Sequence, residues 1–166
     1  MVEYSDRFAL PLLSAGQAQK ELYHNEAIAA LDLLGHASVI SSGLSSPPST
    51  PTLGQCWIVG ASPTGAWSGH AHALAGWTGG GWRFVAPRAG MIVWDEANGY
   101  WIHHDGSGWV SGVLTASSLK IGGVQIVGNQ IAAIADPTGG AVIDSEARTA
   151  IGFVLEALRA HGLIST

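Results

Sequence analysis

At 166 residues the chain has room for one domain, or for a small domain with helical appendages. Its formal net charge of −5, with seven scattered Lys and Arg, argues against nucleic acid as a direct partner, because neutralising phosphates needs clustered cations. Only 11% of residues are charged against a typical ~25%, so subunit burial is expected to cover part of the surface.

Residues 1–13 read as an extended arm, with Pro11 unsuited to a helix interior. The arm lacks the basic start and apolar core of a secretory signal. A helix is predicted from about Ser14, where Ser14 and Gln17 have capping-box spacing, to Gly35 as terminator. Ala18, Leu22, Ala29 and Leu33, flanked by Ala27, Ala30 and Leu34, give it a broad apolar face. Residues 41–53, rich in serine and proline, read as a linker.

From Gln55 to Gly112 short apolar runs recur about every ten residues between Gly, Ser, Pro or Asn, the pattern of a compact antiparallel β-domain. Asn98-Gly99 and Asp105-Gly106 are its strongest hairpin turns. Trp57, Trp82 and Trp94 have β-branched or aromatic neighbours and are expected in its core, and Cys56 reads as a buried structural thiol. Trp67, Trp77, Trp101 and Trp109 lie near Gly, Ser, His or Thr and are divided between core and surface; exposed indoles would contact a glycan or a protein partner. Further strands are expected at 119–121, 124–127 and 130–132. A second helix should run from an Asp144 cap to about His161. In it Ala147, Ile151, Val154 and Leu158 follow the spacing of a two-heptad seam and are the candidate assembly contacts.

The residues that invite chemistry have simpler readings. His70 and His72 with His103 and Asp95 or Asp105 would make a zinc set, but no spacing typical of metal sites supports one, and no metal or cofactor is expected. Lys20 and His24 share a helix face, and Lys20 to Glu26 reads as a polar stripe that caps the β-domain or pairs across a subunit contact. Asp95, Glu96 and Asp105 could serve glycoside hydrolysis, yet they sit beside turn signals where Asp makes local hydrogen bonds. No catalytic residue is assigned. No run approaches the ~18 apolar residues of a membrane span.

The segment Gly16-Gln17-Ala18-Gln19-Lys20-Glu21-Leu22-Tyr23-His24-Asn25-Glu26-Ala27 carries a resemblance, together with Gly54-Gln55-Cys56-Trp57, Gly80-Gly81-Trp82-Arg83-Phe84 and Gly90-Met91-Ile92-Val93-Trp94. As a set they resemble a phage-associated domain family of uncharacterised biochemistry, found in tail-fibre and head-spike genes of alphaproteobacterial phages and gene transfer agents. The tail, Ile134-Ala135-Asp136-Pro137 through Arg148, resembles the end segment of many phage fibre proteins. The expected fold is α+β: an N-terminal arm and helix (1–40), a linker (41–53), a small Trp-rich β-domain, sandwich or barrel-like (54–112), and a strand connector with a C-terminal helix (113–166). The resemblance implies a structural virion protein, a head-spike or fibre base assembled in the bacterial cytoplasm. It would form a homo-oligomer, meet other capsid or fibre proteins and anchor a receptor-binding fibre. The alternative is a carbohydrate-binding module contacting a cell-surface polysaccharide; a polysaccharide-degrading enzyme stands third.

Overall fold

A computed structural model describes residues 3–13, 16 and 20–166. The fold is α+β, and the chain divides into two compact units, Met1–Leu114 and Thr115–Thr166. The Ser14–Gln17 cap lies outside the described residues. Helix α1 runs Lys20–Leu34 and stops at the residue before Gly35, whose N–H donates to the Leu31 carbonyl at 2.8 Å.

Eight strands of the first unit form two four-stranded sheets. One has the order β2 (Ser41–Leu44), β3 (Cys56–Val59), β4 (Leu74–Thr78), β5 (Gly81–Val85). The other has the order β1 (Ser38–Val39), β6 (Ile92–Asp95), β7 (Tyr100–His104), β8 (Trp109–Ser111). Strands β3 to β8 occupy the six apolar runs, and Asn98-Gly99 and Asp105-Gly106 turn β6 into β7 and β7 into β8.

Within 54–112 every strand pairing is antiparallel, as expected, and each sheet becomes mixed through a segment that precedes this span. One extended segment, 38–44, pairs parallel with β6 through β1 and parallel with β3 through β2. Between them the Ile40 N–H donates to the Cys56 carbonyl at 2.8 Å. The first part of the expected linker is therefore an edge strand. Its Ser and Gly residues lack an apolar alternation, so the pairing is set by backbone groups rather than by side-chain pattern.

β3 is apolar at every position because both its faces are covered. Cys56 and Ile58 join Leu74, Leu33 of α1, Val39, Val93 and Ile102 in a core shared by both sheets. Trp57 and Val59 point the other way, into a cluster with Ala75 and Trp67, and Trp77, Trp82 and Phe84 pack against it. The rings meet edge-on or tilted, the geometry aromatic pairs favour: Trp82 lies 5.5 Å from Trp57, 5.2 Å from Trp67 and 5.0 Å from Trp77. Trp57 is buried in this cluster as expected, whereas Trp82 is half-buried at its rim.

The second unit holds the hairpin β9 (Leu119–Ile121) and β10 (Val124–Val127), joined through Gly122-Gly123, and helix α2 (Ser145–Ala160). The Asp144 carboxylate accepts from the Ala147 N–H at 2.8 Å, capping α2 as the sequence indicates. The strand expected at 130–132 shrinks to one bridge, Ile131 with Ile164. Among the described residues no helix is long and apolar enough to cross a membrane.

Leu33 seats α1 on the sheet at Gly76, where a Cβ would overlap the Leu33 methyl groups. Replacing Gly76 by Ala is expected to cost about 1–3 kcal/mol through overpacking. Gly79→Ala, at a position with open space, should leave the urea midpoint almost unchanged, and equal midpoints for the two variants would refute this packing.

Candidate functional site

The polar string of α1 works as a set of ties. Asn25 mimics a strand: its Oδ1 accepts from the Leu13 N–H at 2.9 Å and its Nδ2 donates to the Leu13 carbonyl at 3.0 Å. Glu26 holds Arg83 of β5 through two bonds, 2.8 Å from Nε and 2.7 Å from Nη2, which pins the helix to the sheet. Asp32, buried, accepts from the backbone N–H groups of Arg7 and Phe8 at 2.8 Å each. The Arg7 guanidinium donates to the Leu33 carbonyl, where a cation complements the helix C-terminus. Asp6 accepts from the Gly79 N–H at 2.9 Å. Arm, helix and sheet are thus joined by polar ties; of the stripe Lys20 to Glu26, Glu26 reaches the β-domain at Arg83 and Asn25 holds the arm. Asp32 was not singled out in the sequence, although a carboxylate inside Ala30-Leu31-Asp32-Leu33 is the available signal. The His24 ring bonds the Lys20 carbonyl at 2.8 Å.

Of the groups that invited chemistry, His70, Asp95 and Asp105 are committed elsewhere. His70 stacks flat on Phe84 at 3.6 Å. His104 is buried edge-on to Trp109, and its Nδ1 accepts from the Gly106 N–H. Among the described residues no three His, Cys, Asp or Glu side chains converge as metal ligands. Asp95 is fully buried and accepts from the Asn98 N–H and side-chain amide and from the Ser42 hydroxyl. Asp105 accepts from the Ser107 N–H, the Gly108 N–H and the Ser107 hydroxyl, bonds that hold its carboxyl down at about 2. Both carboxylates build turns. Burial pushes the Cys56 thiol up to about 11, leaving it protonated at neutral pH.

The four tryptophans held as candidate contacts separate sharply. Trp67, 0% exposed, cannot touch a ligand: a 3₁₀ turn at Gly65–Trp67 folds it onto the sheet. Trp77 packs half-buried against the same cluster. Trp109 packs on the shared core and donates its Nε1–H to the His72 carbonyl at 2.8 Å. Trp101, 57% exposed, presents the most open ring of the four.

Its partner is Trp94, directly opposite on β6 with ring centroids 5.1 Å apart; Trp94 is half-buried rather than in the expected core. Strand alternation explains both positions: Val93, Asp95, Ile102 and His104 point inward, so Ile92, Trp94, Trp101 and His103 line the outer face.

In the second unit, Leu155 and Ile164 are the buried apolar side chains. Helix α2 rests on the stripe Arg148, Gly152, Leu155 and Arg159: Arg148 donates to the Gly139 carbonyl, and Arg159 donates to the Ile134 carbonyl and pairs with Asp136 at 3.1 Å. The seam of Ala147, Ile151, Val154 and Leu158 lies beside that stripe, its first three members exposed and Leu158 half-buried. In β9 and β10, every residue is exposed.

Removing the Trp67 ring is expected to destabilise the first unit by about 3–5 kcal/mol. Trp101→Ala, at a surface position, should stay within about 0.5 kcal/mol of the parent. Denaturant unfolding followed by circular dichroism distinguishes them, and similar losses in both would overturn the division.

Among curated proteins, no match is found. A family described as protein of unknown function (DUF2793) matches residues 24–110, a little over half of the chain, from His24 in α1 to Val110 in β8. The match lies within the first unit and takes in Asn25, Glu26, Asp32, Arg83 and all seven tryptophans. The chain, with its tied helix and two mixed sheets, belongs to this family of unknown function, DUF2793.

Proposed function

We propose that the protein is a structural component of a phage or gene-transfer-agent particle. It resembles a head-spike or fibre base that assembles as a homo-oligomer, meets other capsid or fibre proteins and anchors a receptor-binding fibre. The role is architectural rather than catalytic. The observation that carries the assembly reading is the thin core of residues 115–166, with Leu155 and Ile164 buried while Ile121, Val124, Phe153 and Val154 are each more than half exposed. A unit below the ~70–80 residues that support a self-sufficient core needs a further source of burial. A 16-residue helix is also marginal alone in water. Covering Ile151 and Val154 contributes up to ~1.5–3 kcal/mol per side chain in each subunit. The particle assignment rests on the resemblance of the sequence strings.

The full chain is expected to run as an oligomer by light scattering at micromolar concentration. Ile151→Asp with Val154→Asp should yield monomers that keep the native Trp fluorescence. A monodisperse parent monomer would overturn the assembly reading. Immunogold labelling should find the protein on purified particles, and its absence there would overturn the location.

A second reading is favoured by the Trp94–Trp101 pair. An exposed indole on a flat strand face suits the apolar side of a sugar ring, so host-surface polysaccharide is the alternative partner. Added polysaccharide is expected to shift the Trp fluorescence of the parent and not that of Trp101→Ala. Identical responses from the two proteins would exclude this face.

A further inference from the structure

The outer face that carries Trp101 does not end at its indoles. Strand register sets Trp101, Trp94 and Ser38 in one row across β7, β6 and β1. Val39 and Asp95 are a buried pair that points inward, so Ser38 shares the outer side with Trp94. Ser38 also lines a cavity of about 470 Å³, within the roughly 300–1,000 Å³ of small-ligand sites. Its backbone is one strand spacing of ~4.8 Å from Trp94 and two from Trp101.

The cavity is polar where the indole platform is apolar. The arm supplies Asp6 and Arg7, Gln55 comes from just before β3, and Glu96 follows Trp94 by two positions. The arm wall is set by close approach: a Cβ on Gly54 would come 2.8 Å from the Asp6 carbonyl oxygen. Arg7 donates to the Leu33 carbonyl and the Ser38 hydroxyl, which holds its guanidinium in place. Gln55 accepts from the Thr52 N–H at 2.8 Å through Oε1, which fixes the amide with its Nε2–H groups as the remaining donors. The Glu96 carboxylate lies exposed at the rim, a group that only accepts hydrogen bonds.

The geometry points to one continuous site for an uncharged polysaccharide. One pyranose ring lies flat on Trp101, and a neighbouring ring enters the cavity, where Glu96 accepts from its hydroxyls and Gln55 donates to them. This rests on the reading of the Trp94–Trp101 pair as a glycan contact. A pyranose chain has the apolar ring faces that suit an indole and the hydroxyl edges that suit the cavity. An apolar protein segment laid over both would bury Glu96 and Gln55 without partners, which is costly. An acidic glycan is disfavoured, because Asp6 and Glu96 outnumber Arg7 among the charges around the cavity.

Calorimetry on the full chain tests this, with dextran, galactomannan and mixed-linkage glucan oligosaccharides as neutral probes and alginate oligosaccharides as the acidic one. A neutral probe is expected to bind more tightly than alginate. Glu96→Ala and Gln55→Ala should each weaken that binding about fivefold or more, as loss of a hydrogen bond predicts, while Trp fluorescence at saturation still shifts as in the parent. Trp101→Ala should weaken binding and abolish the fluorescence shift. Gln55→Ala keeps the test open if Glu96→Ala loses the native near-ultraviolet circular dichroism. If both cavity variants bind like the parent while Trp101→Ala fails, the cavity is overturned and the platform reading stands. Cavity variants that fail beside an unchanged Trp101→Ala overturn the continuous site. Tighter binding of alginate overturns the uncharged ligand. A parent chain that binds none of the four probes removes both readings.

Discussion

The first unit depends on one short length of backbone. Residues 38–44 leave α1, lie parallel along β6, bend at Ile40 and lie parallel along β3, so a single segment is an edge of both sheets. It fixes how far apart the sheets can sit. Val39 enters the core they share, and the Ser42 hydroxyl reaches the buried Asp95 carboxylate of the other sheet at 3.4 Å. Asp95 is satisfied by that hydroxyl and by the Asn98 turn, which is how a carboxylate survives full burial. On the other side of the bend, α1 is held by Leu33 against Gly76 and by the Glu26–Arg83 pair. Helix and strands are thereby locked to a common frame, and the arm is stitched to it through Asp32 and Asn25.

That arrangement leaves the two faces of the β2–β5 sheet with different tasks. One is aliphatic and joins the second sheet; the other is indole-rich and closed by Trp67. With three phenylalanines in the chain, tryptophan supplies most of the aromatic volume. Indole surface reaches solvent chiefly where strand alternation turns Trp101 outward.

The strands were legible where side chains alternate or run apolar between turn residues. Cys56–Val59, the Asn98-Gly99 and Asp105-Gly106 turns and the Asp144 cap all fall where local chemistry places them. Residues 38–44 were not legible, because a Ser- and Gly-rich edge pairs through its peptide groups and carries no periodic signal. Trp67 stood between core and surface because Gly65 and Ser68 are beside it, and the 3₁₀ turn there folds the ring inward. Around the candidate site, alternation from Ile102 would have sent Trp101 and Trp94 to the same outer face, whereas neighbour type alone split them. Helix α1 looked broadly apolar, yet it buries only Asp32 and Leu33 completely. Composition on a helix tells what can be covered, not what the adjoining sheet reaches.

The doubly used edge segment also sets an order of events for a chain emerging from the ribosome. Ser38 and Val39 have to wait for Trp94 and Asp95, more than fifty positions later, before their sheet can close. The other sheet needs nothing beyond Val85. At about 5–20 residues per second, the stretch between Val85 and Ser111 takes roughly one to five seconds to synthesise, during which the sheet that carries the tryptophan cluster can form first. Closure then joins ends far apart in the chain, the kind of contact that slows folding. The first sheet is the template on which the second is completed.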